Sequence, residues 1–136
     1  MEKTGTKTRI VALTDEYIMS LENFLNDPNK DMRIMAGKDI LTRLDEDKDR
    51  FNDPALNALL NKMIQDPDSS VRALGLSALS SQLASGNDYT VELLKKIQED
   101  PNSNESDVLE ASKSLLKMAS STEVKYIPNT QQTETK

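Results

Sequence analysis

The side chains of this chain that could carry chemistry are mainly carboxylates, because it contains neither histidine nor cysteine. The commonest general base and metal ligand are therefore missing, and disulfides and thiolate metal sites are excluded. A catalytic carboxylate pair would need one acid with a raised pKa, which requires burial beside an apolar wall. Most Asp and Glu residues fall in loops or on polar helix faces. We therefore expect that this chain is not an enzyme and that it has no catalytic residue and no cofactor.

Three alternating aspartates, Asp45, Asp47 and Asp49, match the first three ligands of a calcium-binding loop. Such a loop also requires Gly directly after the third ligand and Glu at its twelfth position. Those positions hold Arg50 and Leu56 here. The sequence therefore predicts no metal site, and we interpret the segment as a solvated loop with capping carboxylates.

The charge of the chain argues against a polyanionic partner. Its net charge is −6, and residues 14–120 contain 20 acidic and 12 basic side chains. Binding to a phosphate backbone needs clustered Lys and Arg, so we expect no nucleic-acid partner. No apolar run approaches the ~20 residues of a membrane span or forms a signal peptide. We therefore expect a cytoplasmic chain without a membrane partner.

The dipeptide Asp-Pro closes a helix pattern at Asp27, Asp66 and Asp100, at spacings of 39 and 34 residues, whereas a fourth copy at Asp53 opens one. Apolar residues stand three and six positions before each of the three closing Asp residues, which places them on one face of a helix. Proline ends that helix because it lacks the N–H group and restricts the preceding residue. The pattern predicts a first helix before each turn, over residues 14–26, 54–65 and 88–99.

A second amphipathic segment follows each turn, beginning at Met32, Val71 or Val108. Four residues later each has a small residue, which allows close helix packing; the three are Ala36, Gly75 and Ser112. The sequence therefore predicts an all-α fold, a solenoid of about three helix pairs and six helices. The pairs are expected at 14–45, 53–85 and 87–120, between an N-terminal arm at 1–13 and a disordered tail at 121–136.

This helix–Asp-Pro–helix pattern resembles the HEAT repeat, especially the short repeats of phycobilisome-lyase-type HEAT proteins, over roughly residues 14–120. The resemblance implies an α-α superhelix. It also implies a structural ladder between repeats, made by the turn Asp and the Arg six residues later; the matching residues are Asp27, Arg33, Asp66 and Arg72. These arginines could alternatively bind a ligand. Leu109 stands where the third Arg is expected, so the ladder should end at Asp100, as in a terminal cap.

Two further groups of residues are assigned by helical position. The methionines at 32, 35, 63 and 118 fall on the predicted buried stripe, so we expect them in the core rather than in an adaptable groove. Met19 remains unassigned. Asp39 aligns with the apolar residues Ala78 and Leu115, which suggests partial burial, and no mechanism attaches to it.

The leading functional hypothesis is a non-enzymatic protein–protein interaction module or adaptor. The resemblance implies binding through the concave face made by the second helices. Leu41 and Leu76 are the first candidates because they are apolar at outward positions. The full set of candidate contact residues is Ile34, Lys38, Leu41, Ala73, Leu76, Ser77, Lys113 and Lys117. The partner is an unidentified protein, and the chain is expected to be a monomer or to self-associate weakly through its stack ends.

The same resemblance leaves alternatives. The chain could be a regulatory or chaperone-like subunit related to the bilin lyases, although it has no Cys or His. HEAT-like DNA glycosylases bind nucleic acid through a face rich in Lys, Arg and aromatic residues, which this acidic chain lacks. HEAT-type iron hydroxylases require histidine ligands and are excluded.

Overall fold

The computed structural model describes residues 10–120, and predictions that concern residues 1–9 and 121–136 lie outside this range. The described residues form six α-helices and one short 3₁₀-helix and contain no strand, so the all-α prediction is confirmed. The α-helices are α1 Asp15–Leu25, α2 Lys30–Asp45, α3 Pro54–Ile64, α4 Ser69–Ser80, α5 Asp88–Glu99 and α6 Glu105–Ser120, and the 3₁₀-helix is Lys48–Arg50.

The first five helices each begin after a side chain that caps free backbone N–H groups. Thr14 accepts a hydrogen bond from the N–H of Tyr17 at 3.1 Å, and Asp53 accepts one from Leu56 at 2.9 Å. Pro54 follows Asp53 at the first helical position, where its missing N–H costs nothing. The capping residues of these five helices are Thr14, Asn29, Asp53, Asp68 and Asn87.

The helices pack as three sequential pairs, α1 with α2, α3 with α4 and α5 with α6. Across the pairs, α2 contacts α4 and α4 contacts α6, while α1 contacts α3 and α3 contacts α5. The second helices therefore form one row and the first helices form another. The aliphatic core lies between the rows and includes the fully buried Ile40, Leu60 and Leu79.

Two glycines let neighbouring helices approach closely. A Cβ added to Gly75 would lie 3.2 Å from Cβ of Met63 on α3, and one added to Gly37 would lie 3.0 Å from Cδ1 of Leu74 on α4. Gly75 is thus the contact point within the second pair. Gly37 is the contact point between the first and second pairs, where Leu74 packs on α2.

The third pair is shifted by one residue from the predicted register. Positions buried at equal spacing in the two helices are Val71, Gly75 and Ala78 in α4 and Asp107, Ala111 and Ser114 in α6. The small contact residue is therefore Ala111, and the choice of Ser112 was wrong. Asp39 correspondingly aligns with Ser114 rather than Leu115. Val71 and Val108 correspond by residue type, whereas Val71 and Asp107 correspond by their buried positions in the two helices.

The guanidinium of Arg33 connects the turns of the first two pairs. Its Nε and Nη2 donate to the two carboxylate oxygens of Asp66 at 2.9 and 3.2 Å. Its Nη1 donates to the backbone carbonyl of Asp27 at 2.9 Å. Asp27 thus contributes its carbonyl to this arginine, whereas Asp66 contributes its side chain.

Arg72 makes the corresponding connection from the second pair to the third. Its Nη1 donates to the carbonyl of Asp66 at 3.0 Å, and its Nε donates to the carboxylate of Asp107 at 2.7 Å. The expectation that the ladder ends at Asp100 is therefore wrong. Asp100 instead accepts a hydrogen bond from the N–H of Asn102 at 2.9 Å, and α6 supplies the acidic partner from its first turn.

The segment after α2 is more ordered than a solvated loop. Arg50 is buried, and its Nη1 donates to Glu46 at 2.9 Å and to the carbonyl of Arg43 at 3.0 Å. Glu46 also accepts a hydrogen bond from the N–H of Val11 at 3.1 Å. Arg50 also donates a hydrogen bond to the carbonyl of Val11, so these hydrogen bonds fix the chain before α1 against the end of α2. Asp47 caps the 3₁₀-helix by accepting from the N–H of Asp49 at 3.0 Å.

The methionine prediction is wrong at one position. Met63 is fully buried, and Met32 and Met118 are half-buried, but Met35 is 47% exposed. Met35 projects from the side of α2 that faces away from α4, where no other described helix packs.

Loss of the Arg33 side chain should destabilise the fold more than loss of an exposed cation from the same helix. Arg33→Ala would leave the carboxylate of Asp66 buried without its cation, so we expect a loss of about 2–3 kcal/mol. The matched control is Lys30→Ala, because the Lys30 side chain is 63% exposed and its nitrogen lies 3.9 Å from Asp68. That change should cost about 0.5 kcal/mol or less.

Urea unfolding followed by circular dichroism measures both differences. Equal losses for the two variants would show that Arg33 contributes no more than an ordinary surface cation.

Candidate binding groove between the first two helices

The outward positions of the second helices divide into exposed, half-buried and buried residues. Leu76 was a leading candidate for partner binding, and that prediction is wrong, because Leu76 is fully buried. It faces α6, where the hydroxyl of Ser114 donates to its carbonyl at 3.2 Å. Ile34 and Leu41 are half-buried against the core, and the exposed candidates are Lys38, Ala73, Ser77, Lys113 and Lys117.

The outward face of the second helices is polar between α4 and α6. A depression of about 420 Å³ lies there, lined mainly by serines and carboxylates; its residues are Ser69, Ser70, Ala73, Leu76, Ser77, Ser106, Asp107 and Glu110. Lys113 at its edge is paired with Glu110 at 3.0 Å. This face therefore offers hydrogen-bonding groups around the buried Leu76, and its lining contains no exposed large apolar side chain.

A more apolar groove lies between α1 and α2, on the side that faces away from the other helix pairs. It has a volume of about 450 Å³, and we call it the α1–α2 groove; its lining residues are Tyr17, Ser20, Leu21, Phe24, Met35, Ala36, Lys38, Asp39 and Thr42. Leu21 and Ala36 are buried and form its floor. Met35 stands on one wall, opposite the ring of the half-buried Phe24.

The repeat explains why this groove is open. Met35 is equivalent to Leu74, which lies 39 residues later at the same register. Leu74 packs on Gly37 of the preceding pair, whereas no helix pair precedes α1 and α2 among the described residues. Met35 therefore lies on a helix face that corresponds to the packing face of Leu74, and within residues 10–120 no further helix covers it.

One end of the groove carries a polar cluster. The hydroxyl of Tyr17 donates a hydrogen bond to Asp39 and accepts one from Nη1 of Arg43 at 3.2 Å. Burial of the phenol, together with its hydrogen bond to Asp39, raises the pKa of Tyr17 to about 12. The cluster gives the groove a donor–acceptor end beside an apolar floor, which suits a ligand that has both kinds of group.

Three further cavities lie at the turns and along α3 and α5. One of them combines the apolar Ile64, Leu93 and Ile97 with charged residues of α5. Within residues 10–120, no three acidic side chains come together in a way that could hold a metal ion. Over the same range, no helix has both the length and the apolar character needed to cross a membrane. The α1–α2 groove differs from the other cavities in having the exposed Met35 beside its buried apolar floor.

Comparison of the chain with protein-family models, curated proteins and solved structures finds no match.

The Tyr17 hydroxyl should ionise at a higher pH than that of an ordinary tyrosine. An alkaline titration followed at about 295 nm should show one phenol with a pKa near 12, and Tyr17→Phe should remove this step. Asp39→Asn should move the step towards pH 10, because it removes a negative charge beside the phenolate.

Because folding raises the pKa of Tyr17, the free energy of unfolding depends on pH in the alkaline range. Since the pKa of Tyr17 is raised on folding, its contribution is fully present below pH 10 and is lost as pH rises from 10 towards 12. Tyrosines that all titrate near pH 10 in the folded chain would show that the hydroxyl is free in solution.

Proposed function

We propose that this chain is a non-enzymatic protein-binding module that binds a helix of its partner in the α1–α2 groove. The observation that carries the proposal is the exposed Met35, which stands over a buried apolar floor on a helix face that elsewhere in the repeat packs against another helix. An exposed apolar surface bordered by polar groups is typical of an interaction site.

The shape of the groove favours a helical ligand. Its two walls are the neighbouring helices α1 and α2, and side-chain ridges of a third helix pack well into such a channel. Recognition of this kind uses apolar anchors at positions i, i+3 or i+4, and i+7. Lys38, Asp39 and the hydroxyl of Tyr17 at the rim supply polar groups that would fix the direction and register of the bound helix.

This proposal moves the binding surface from the concave face of the second helices to the open end of the helix stack. Of the residues first considered, Lys38 borders the groove, whereas Leu76 belongs to the core. The serine-lined face between α4 and α6 has the buried Leu76 in its lining but no exposed large apolar side chain like Met35. The α1–α2 groove therefore offers a better apolar anchoring surface than the outward face of the second helices.

We further propose that the helix pairs form a short α-α superhelix of the HEAT type. The support comes from this chain alone. It consists of the Asp-Pro turns, the two rows of helices and the equivalent arginines at positions 33 and 72. Each arginine joins the backbone of its own turn to a carboxylate of the next pair. In such a stack the terminal faces differ from the internal ones, because they lack a neighbour.

Selection of helical peptides from a display library tests the groove directly. Peptides that bind the unmodified chain should carry apolar residues at helical spacing, and Met35→Lys should weaken their binding about tenfold or more by placing a charge over the apolar floor. Met19→Lys is the matched control, because Met19 is 59% exposed and lies on α1 outside the groove.

Both methionines are exposed, so neither variant should unfold the chain, and thermal unfolding of each verifies this. Peptides that bind the two lysine variants equally well, or that protect residues between α4 and α6 instead, would overturn the assignment of the groove.

A further inference from the structure

The contact between the first two pairs shows what this side of α2 is shaped to receive. Leu74 of α4 packs at Gly37 of α2, with its Cδ1 only 3.0 Å from the place of a Cβ. Ile34 and Leu41 lie three residues before and four after Gly37, so they flank it on the same helix face. An apolar side chain thus sits on a small residue between two larger apolar residues.

Helix α6 repeats this pattern with its larger residues exposed, and the hydroxyl of its small residue, Ser112, accepts a hydrogen bond from Nε2 of Gln98 at 2.9 Å. The positions in α6 equivalent to Ile34, Gly37 and Leu41 are Leu109, Ser112 and Leu116, each 75 residues later. Leu109 is 59% exposed and Leu116 is 69% exposed. The last second helix therefore presents two exposed leucines around a small residue, as α2 does beneath Leu74.

Met35 is an exposed apolar side chain that could pack on Ser112 as Leu74 packs on Gly37. It is equivalent to Leu74 and is exposed at the opposite end of the row α2, α4, α6. We infer that the occupant of the α1–α2 groove is α6 of a second copy of this chain, with Met35 of one copy packed on Ser112 of the other, between Leu109 and Leu116. This inference rests on the proposed function, because it names the partner of the same groove.

The contact would extend an interface that already exists within the chain. The row of second helices continues from α6 of one copy into α2 of the next, in the register that joins α2 to α4. The two faces are unlike, so each added copy leaves one groove and one α6 face open. Such a heterologous contact builds open chains of copies rather than a closed dimer, unless the rotation closes a ring.

The contact between two copies should be weaker than the contacts between helix pairs within one chain, and the reason is charge. The position of Arg33 and Arg72 is occupied by Val108 in α6, so no arginine bridges to the next copy. Residues 14–45 and residues 88–120 each carry seven acidic and four basic side chains, so the two ends repel each other. Association should therefore strengthen as salt screens this repulsion, and it should depend on protein concentration.

Site-directed disulfides test the inference sharply, because the chain has no cysteine of its own. Met35→Cys and Ser112→Cys are made as separate full-length variants, mixed under a mild oxidant and analysed on non-reducing gels. The mixture should yield a 35–112 dimer in clear excess over 35–35 and 112–112 dimers. The double variant should give a ladder of higher oligomers.

The control pair is Ala58→Cys with Ser77→Cys, since both residues are exposed and neither lies in the proposed contact. Adding Leu116→Lys to the Ser112→Cys variant should lower the yield of the 35–112 dimer about tenfold, because leucine burial at the contact is lost. Circular dichroism of each variant confirms that it remains folded.

Random pairing among the cysteines, or equal yields from the control pair, would overturn the inference. So would a constant mass of 15.2 kDa at all protein and salt concentrations in sedimentation equilibrium. If this happens while selected peptides still bind in a Met35-dependent manner, the groove stands and its partner is another protein or another segment of this chain. If the peptides also fail, the proposed function falls as well.

Discussion

The guanidinium of Arg33 holds together two turns that are far apart in the sequence, and the arrangement of the helix pairs depends on this interaction. It binds the carbonyl of Asp27 on its own turn and the carboxylate of Asp66 on the next. Arg72 repeats the connection towards Asp107. A planar group with several fixed donors can satisfy a backbone carbonyl and a carboxylate at the same time, which lysine cannot do with the same geometry. Apolar contacts alone would allow neighbouring pairs to slide, whereas these directional bonds fix their register and so the close contact of Leu74 on Gly37.

The same interactions determine where a free surface remains. Internal faces are closed by an arginine and by apolar packing, while the outer faces of the first and last pairs have apolar residues and, within residues 10–120, no neighbouring pair. Met35 at one end and Leu109 and Leu116 at the other are exposed for this reason. The outward face of the second helices, by contrast, is lined by serines and by paired charges such as Lys113 with Glu110. The proposed function therefore follows from the outer faces of the first and last described helix pairs.

The sequence predicted the helices well because their signals are local. Asp-Pro turns, capping residues and apolar spacing placed the first helices within one residue of their observed ends. The candidate site was predicted poorly because burial depends on which neighbour is present. The sequence predicted Met35 on the buried stripe and Leu76 at an outward position, yet Met35 is exposed at the end of the row and Leu76 is covered by α6. The third register was missed for a similar reason, since Asp107 occupies a buried position as the partner of Arg72, and matching by residue type favoured Val108.

The methionines provide a direct test of the central claim that the open end of the stack is the contact surface. Methyl-labelled methionine gives a separate nuclear magnetic resonance probe at Met35 in the groove and at Met19 outside it. The spectrum is recorded over a range of protein and salt concentrations and with a selected helical peptide. The account predicts that the Met35 methyl signal shifts in both series while the Met19 signal stays in place. A Met35 signal that does not move when the protein associates or binds the peptide would contradict it.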